Sequence, residues 1–377
     1  MQITVTVVAF NLHNWTTEKE KEINKELPNV NFHYLETTRI DFFNWLLAST
    51  LEKVGRLLFR CFPKNVFYSS MAVGKRSWLL LQWCKKTTEK PDLIIAHNPA
   101  AFYPSYWLAK KNAIPFALDI EDYHPGEGTD DILKKAIILL MKQLMPLAVY
   151  NSFASPLIKE YTEKLIPKLI VGKNIVVNNV FAADEFELLP FKKTDNEKLQ
   201  LVWFSQFIDY GRGLEKLLPF LDENSKYLEL TLIGNLREPF FLHEISNREY
   251  IHCLAPMSQK ELNLQLSKYD VGLAIEDAGK DLNRDICLTN KIWAYFQAGL
   301  YVVASDTAAQ QQFIQQHAPN GMCINLSSKT LDIEINALLQ SKEQIRAAQP
   351  NRFAAATTFN WENESATLKA KWNGALQ

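Results

Sequence analysis

The stretch Leu201-Val-Trp-Phe-Ser-Gln-Phe-Ile-Asp-Tyr-Gly-Arg-Gly-Leu-Glu215 decides the fold. Its apolar and aromatic first half reads as a strand, Gly211 and Gly213 break it, and the periodic segment 213–221 reads as a helix. Strand, glycine turn and helix in succession open a crossover unit, in which parallel strands are joined by helices. A turn in that position points backbone N–H groups and a helix N-terminus at an anion, and Arg212 adds a guanidinium shaped for phosphate oxygens. The same glycines would also serve simply to close a tight turn, with Arg212 in solvent.

The alternation continues on both sides. Towards the C-terminus, strand-like runs at 228–233, 250–253, 271–275 and 301–305 are separated by helical segments at 258–268, 290–298 and 308–316. Towards the N-terminus, strand-like runs fall at 3–9, 93–96, 116–120, 147–150 and 174–177, with helical periodicity at 105–111 and 131–145. The pattern pauses at 181–198, where Asp184, Glu185, Glu187, Pro190, Lys192, Lys193 and Asp195 lack apolar periodicity, and that stretch reads as a linker. The expectation is an α/β protein of two Rossmann-like doubly wound domains facing across a cleft, where such folds bind ligands at strand C-terminal ends.

Composition agrees. A chain of 377 residues is long enough for two domains, and 47% hydrophobic against 22% charged residues excludes long disorder. With 41 basic and 42 acidic residues the net charge is −1, which excludes a general nucleic-acid footprint. Cys61, Cys84, Cys253, Cys287 and Cys323 form no C-x-x-C pair, so neither a zinc site nor a disulfide framework is expected. The N-terminal MQITVTVVAF lacks the features of a signal peptide, and the apolar run at 136–150 is broken by Lys142 and Gln143. A cytoplasmic protein without a transmembrane anchor is the expectation.

Several residues sit where chemistry would be done. The run 271–276 delivers Glu276 at a strand end, and 288–299 reads as a helix capped by Thr289 or Asn290 that carries Lys291 towards an anion; an ordinary cap with a surface lysine is the alternative. His97 and His124 lie at or just after strand ends beside Asp119, Glu121 and Asp122, where a histidine can exchange a proton near neutral pH. The neighbouring turn residues Pro125, Gly126 and Gly128 favour polar acceptor contacts over a metal. The segment 39–90 sets Arg39, Lys53, Arg56, Arg60, Lys64, Lys75, Arg76, Lys85, Lys86 and Lys90 against Asp41, Glu52 and Glu89, interleaved with Phe42, Phe43, Trp45 and Leu57. That amphipathic character suits either a helix on an anionic membrane surface or helices packed on the first sheet with a solvated basic face.

The order of the Arg212 loop, the 251–256 segment before Glu261-Leu262, and Leu288-Thr-Asn-Lys-Ile-Trp-Ala-Tyr-Phe-Gln-Ala-Gly-Leu-Tyr-Val-Val-Ala-Ser305 resembles the retaining, GT4-like glycosyltransferases of the GT-B fold. In the first half, 92–98, 116–124 and the asparagines 178 and 179 look like acceptor-domain signatures of the same family. The resemblance covers nearly the whole chain and is weakest from 15 to 90. It implies an acceptor domain over 1–184 with a C-terminal helix, 357–377, returning to it, and a donor domain over 185–356.

By resemblance, the family's basic pair on the donor diphosphate falls on Gln206 and Arg212, of which only Arg212 is charged, and its two donor-binding glutamates fall on Ile286 and Ala294. Their absence implies either that Glu276, Asp277, Asn283 and Asn290 take over those contacts, the favoured reading, or that donor binding is impaired. The expected donor-binding set is Gln206, Arg212, Gly234, Leu254, Glu276, Asn283, Arg284, Asn290 and Lys291; His97, Asp119, Glu121 and His124 form the expected catalytic set. No metal and no cofactor are expected, the nucleotide diphosphate sugar being a substrate. The partners implied are that donor and a glycan or lipid-linked acceptor, with peripheral membrane contact through 39–90. The function implied is sugar transfer in surface polysaccharide synthesis. A noncatalytic GT-B-like binding subunit and a nucleotide-sugar epimerase are the alternatives.

Overall fold

A computed structural model of the protein describes residues 3–14, 16–188, 197–277, 279 and 281–376. The chain divides into two compact units: Met1–Phe153 with Lys159–Ile175 and Lys371–Gln377, and Ala154–Ile158 with Val176–Ala370. Among the described residues no helix is long and apolar enough to cross a membrane.

The first unit holds six strands in two hydrogen-bonded sheets. β1 (Val5–Asn11) pairs in parallel with β2 (Val30–Glu36), and β3 (Ile94–His97), β4 (Phe116–Ile120), β5 (Asn151–Phe153) and β6 (Asn174–Val176) follow one another in a second sheet. Side chains from β1, β2 and β3 meet Leu80, Cys84 and Leu108 in one apolar cluster, so the helices Lys75–Lys86 and Pro99–Asn112 join the two sheets into a single core. β5 begins later than the apolar run at 147–150 suggests. Met145–Leu147 forms a 3-10 turn with Pro146 inside it, and the missing proline N–H and fixed φ keep that segment out of the ladder.

The second unit is built on six parallel strands, β7 (Leu199–Ile208), β8 (Leu228–Leu236), β9 (Ile251–Leu254), β10 (Val271–Ala274), β11 (Tyr301–Ser305) and β12 (Gly321–Ile324). Their spatial order is β12-β11-β10-β7-β8-β9. Strand order therefore reverses between β7 and β10, the point at which open α/β sheets bind ligands beyond their strand C-termini. β10 is buried at all four positions, as a central parallel strand covered on both faces must be. β2 and β12 have no counterpart in the sequence-derived strands.

The stretch read as a linker divides. Residues 189–196, with Pro190, Lys192, Lys193 and Asp195, lie outside the described residues. Phe181 and Phe186, however, pack against the second unit's core. The backbone N–H of Phe181 donates to Gln297 Oε1 (2.9 Å), and Gln297 Nε2 donates back to the Phe181 carbonyl (3.0 Å). The main segment of the second unit accordingly runs from Val176 and includes this stretch. In the terminal helix Trp361–Ala375, Glu364 accepts from Asn178, while Lys371 and Trp372 bond Gly172 and Tyr150 of the first unit.

Replacing Gln297 by leucine keeps its volume but strands the Phe181 N–H, while the Phe181 carbonyl keeps the Trp361 N–H (3.0 Å). Stability should fall by about 2 kcal/mol, given that an unpaired buried polar group costs roughly 1–3 kcal/mol. Urea unfolding followed by circular dichroism measures this, and an unchanged midpoint would show that the Phe181 segment does not depend on Gln297.

Candidate functional site

In the second unit the turn after β7 lies against the end of β10. Gly213 adopts φ +86°, a left-handed conformation, and a Cβ there would meet Ile275 Cγ2 at 3.0 Å and Leu326 Cδ1 at 2.8 Å. The two glycines thus do more than close a turn: the close approach brings Arg212 beside the carboxylate that follows β10. Arg212 Nη1 lies 3.7 Å from Glu276 Oε2, and Lys291 Nζ lies 2.8 Å from Glu276 Oε1. Glu276 and Lys291 are buried, whereas nearly half of the Arg212 side chain reaches solvent. The Lys291 ammonium also sits 5.2 Å from the ring centroid of buried Trp203, a cation–π contact. Ser305 Oγ accepts the Glu276 backbone N–H (3.0 Å) and donates to Gln310 Oε1, fixing the end of β10 from β11.

Lys291 is in the first turn of the Asn290–Gln297 helix. Thr289 occupies the N-cap, but its side chain makes no capping bond, and its buried Oγ1 has no partner among the described residues. Asn290 is exposed. The loop amides behave differently from the sequence expectation. The N–H of Gly211 is already taken by Glu215 Oε1 (2.7 Å), so anion recognition here would rest on side chains more than on that loop backbone.

The remaining expected donor residues fall into two groups. Gln206, Gly234 and Leu254 mark the C-terminal ends of β7, β8 and β9. Gln206 is exposed where the β7–β8 register shifts, and its carbonyl accepts from Asn235 Nδ2. A Cβ on Gly234 would lie 1.9 Å from the Ser205 carbonyl oxygen, so β8 can pass β7 only as glycine there. Leu254 is exposed. Asn283 and Arg284 are braces: Asn283 Oδ1 accepts from Cys287 Sγ, and Arg284 Nη1 donates to the Gly211 carbonyl (3.4 Å). The acids that crowd 276–285 in the sequence also separate, Asp277 pairing with Lys216 (2.6 Å), Asp281 accepting from the Arg284 N–H and Asp285 from the Ala308 N–H. A pocket lined by Lys216, Glu276, Asp277, Asp306, Asn325 and Leu326 opens above β10, β11 and β12.

In the first unit, parallel register aligns His97 on β3 with Asp119 on β4, and Asp119 with Ser152 on β5. His97 Nδ1 is 2.8 Å from Asp119 Oδ2 and 3.6 Å from Glu121 Oε1, and Ser152 Oγ donates to Asp119 Oδ1 (2.6 Å). Hydrogen bonds from the His97 ring to Asp119 first, then to Glu121, push the imidazole up to about 10. His97 is therefore an imidazolium at neutral pH, able to donate a proton but not to accept one. One atom from each of His97, Asp119 and Glu121 lies within 4.8 Å of the others, so the two carboxylates and the imidazolium have the spacing to grip one hydroxyl group. Asn98, directly after, takes φ +69° and ψ 145°, a strained conformation for a non-glycine residue, and turns the chain from β3 into the helix opened by Pro99. His124 makes a separate pair: it is buried, with Nδ1 2.9 Å from Glu127 Oε2.

At the level of sequence, no family model and no curated protein matches the chain. Solved structures do. HepE from Anabaena, in complex with UDP, superposes with a TM-score of 0.63 over 97% of this chain and 100% of its own, at 12% identity. The α,α-trehalose 6-phosphate synthase of Burkholderia multivorans gives 0.62 over 99% of both chains at 12% identity. Sucrose-phosphate synthase from Thermosynechococcus elongatus gives 0.56 over 80% of this chain and 77% of its own, at 13% identity. The protein has the GT-B fold. In GT-B terms the six-stranded second unit is one of two Rossmann-like domains, and the Arg212–Glu276–Lys291 group occupies its strand-order reversal. Sequence reasoning missed Trp203, Ser152 and Ser305, since each acts through a partner that only the folded sheet brings near.

The imidazole of His97 should titrate well above 6.5 by NMR, and Asp119→Asn should bring it back towards that value. Because the folded value is raised, its stabilising contribution is complete below pH 6.5 and is lost as pH rises through about 10. Half of the side chain meets solvent, so the effect on global stability is small. An imidazole titrating near 6.5 in the parent protein would remove the imidazolium.

Proposed function

We propose that the protein transfers a sugar from a nucleotide diphosphate sugar to a glycan or lipid-linked acceptor, with retention of anomeric configuration, in surface polysaccharide synthesis in the cytoplasm. The observation that carries this reading is the Arg212–Glu276–Lys291 group, which sets a guanidinium and an ammonium at the strand-order reversal, with nearly half of the Arg212 side chain in solvent. A departing diphosphate would be stabilised by those cations and by the unsealed N-terminus of the Asn290–Gln297 helix. No protein nucleophile is needed, because the acceptor hydroxyl can pass its proton to the leaving phosphate. The likeness to HepE bound to UDP supports UDP as the nucleotide. His97, Asp119 and Glu121 are read as acceptor contacts, the carboxylates taking hydroxyl hydrogens and the imidazolium donating.

A second reading, a noncatalytic binding subunit, draws on Ile286 and Ala294, both fully buried apolar residues where the family resemblance places donor-binding glutamates. UDP binding without transfer to any acceptor would favour it. Conversion of a nucleotide sugar in the absence of acceptor would instead mark an epimerase.

Two outcomes test the transfer reading. Arg212→Ala should weaken UDP binding at least about tenfold in calorimetry, since a charge-assisted phosphate contact contributes roughly 1.5–3 kcal/mol; equal affinity in both proteins would remove Arg212 from the site. Transfer should also persist in excess EDTA, the positive charge being built into the protein. Loss of turnover restored by magnesium or manganese would overturn that account.

A further inference from the structure

The helix Phe42–Cys61 is amphipathic twice over. Its buried face carries Ala48, Gly55 and Phe59, which meet the Val66–Val73 and Asp131–Leu144 helices. The opposite face is also apolar: Phe43, Leu47, Val54 and Leu57 recur at helical spacing and are exposed, Phe43 by 84% and Leu57 by 60%. Ile40, 72% exposed just before the helix, and Phe62, just after it, extend the stripe at both ends. Twenty helical residues make it about 30 Å long, and a contiguous exposed apolar surface of that kind marks an interaction site.

Charge identifies the occupant. Lys53 and Arg60 border the stripe and Lys64 follows it, and none of these three joins an ion pair among the described residues. The acids of the segment are engaged elsewhere: Asp41 caps the helix through Asn44, and Glu52 bonds Arg56 and the Lys75 N–H on the other side. Against a second copy of the chain, a symmetric pairing of this stripe would set the basic borders against each other. An anionic lipid surface meets both features, with apolar side chains entering the acyl boundary and cations among the headgroups.

We infer that the Ile40–Phe62 stripe docks the protein in the plane of an anionic membrane surface. The inference goes beyond the proposed transfer and depends on none of its steps.

The test is flotation of the full chain with vesicles of phosphatidylcholine alone or mixed with phosphatidylglycerol, alongside UDP calorimetry. The expected result is binding at least about tenfold tighter to the anionic vesicles, weakened by added salt. Phe43→Ser with Leu57→Ser should reduce it at least about tenfold, with melting and UDP affinity unchanged. Lys53→Glu with Arg60→Glu should abolish the preference for anionic lipid, which tests the surface independently of the apolar changes. The docking is overturned if the parent protein ignores both vesicle types, or if the serine variant floats as well as the parent. It is also overturned if sedimentation shows a dimer that the serine substitutions split, which would make the stripe a subunit interface. Vesicle binding by a chain that fails to bind UDP supports the docking and overturns the transfer reading.

Discussion

Burying a carboxylate is costly unless it is paired and hydrogen-bonded, and the second unit supplies partners to Glu276, which has 4% of its surface exposed. Lys291 is one, at 2.8 Å, and Arg212 stands on the other oxygen. Removing one member of a buried pair typically costs about 3–5 kcal/mol, although the pair itself adds little over apolar packing. Its structural consequence is therefore positional. The charge is satisfied only if β10 ends at its present place, if the following helix starts at Asn290, and if the glycine turn after β7 closes onto Ile275. Ser305, bonding the Glu276 amide, ties β11 into the same arrangement.

The local electrostatics follow from that pairing. With Ile286 and Ala294 in the apolar interior, Glu276 is the carboxylate that Arg212 and Lys291 share, while Asp277 beside it is paired with Lys216 and Asp306 with Asn325. Because Glu215 occupies the Gly211 amide, an anion at this turn would meet the Arg212 and Lys291 side chains rather than that N–H. In the first unit Asp119 and Glu121 outnumber the single imidazolium of His97. A group with excess carboxylate suits hydroxyl donors, a group with ammonium and guanidinium suits phosphate, and the chain holds one of each in its two units.

Most of the parallel-strand framework was readable because buried strands of this kind are continuous apolar runs, as at 271–274 and 301–305. The strand read at 147–150 is displaced because Pro146 holds Met145–Leu147 in a 3-10 turn, so the run joins β4 only from Val149 and Tyr150 onward into β5. β2 was missed because Val30–Glu36 mixes His33 and Glu36 into a strand that, among the described residues, pairs with β1 alone. The site was legible as residue types and places, not as partnerships. Glu276 and Lys291 are separated by a loop and a helix start, and His97, Asp119 and Ser152 come from three strands. Parallel register alone brings the latter into line. Arg284 and Asn283 show the same limit: their bonds to Gly211 and Cys287 appear only in the folded chain.

The helix Phe42–Cys61 shows where periodicity stops being informative. It carries apolar residues on two opposite faces, so the sequence pattern permits either to be the packed one. Size decides. Gly55 lets the helix approach so closely that a Cβ there would lie 2.5 Å from Met71 Cβ, and Ala48 adds little bulk on the same side. The Phe43–Leu47–Val54–Leu57 face has no such small residue at its centre and would hold a neighbouring helix further away, with fewer dispersion contacts for the same area. Tight packing therefore selects the small-residue face for the protein interior and leaves the bulky one outside. A surface left apolar by that choice, and bordered by Lys53 and Arg60, which join no ion pair among the described residues, retains the driving force for burial that the fold itself did not use.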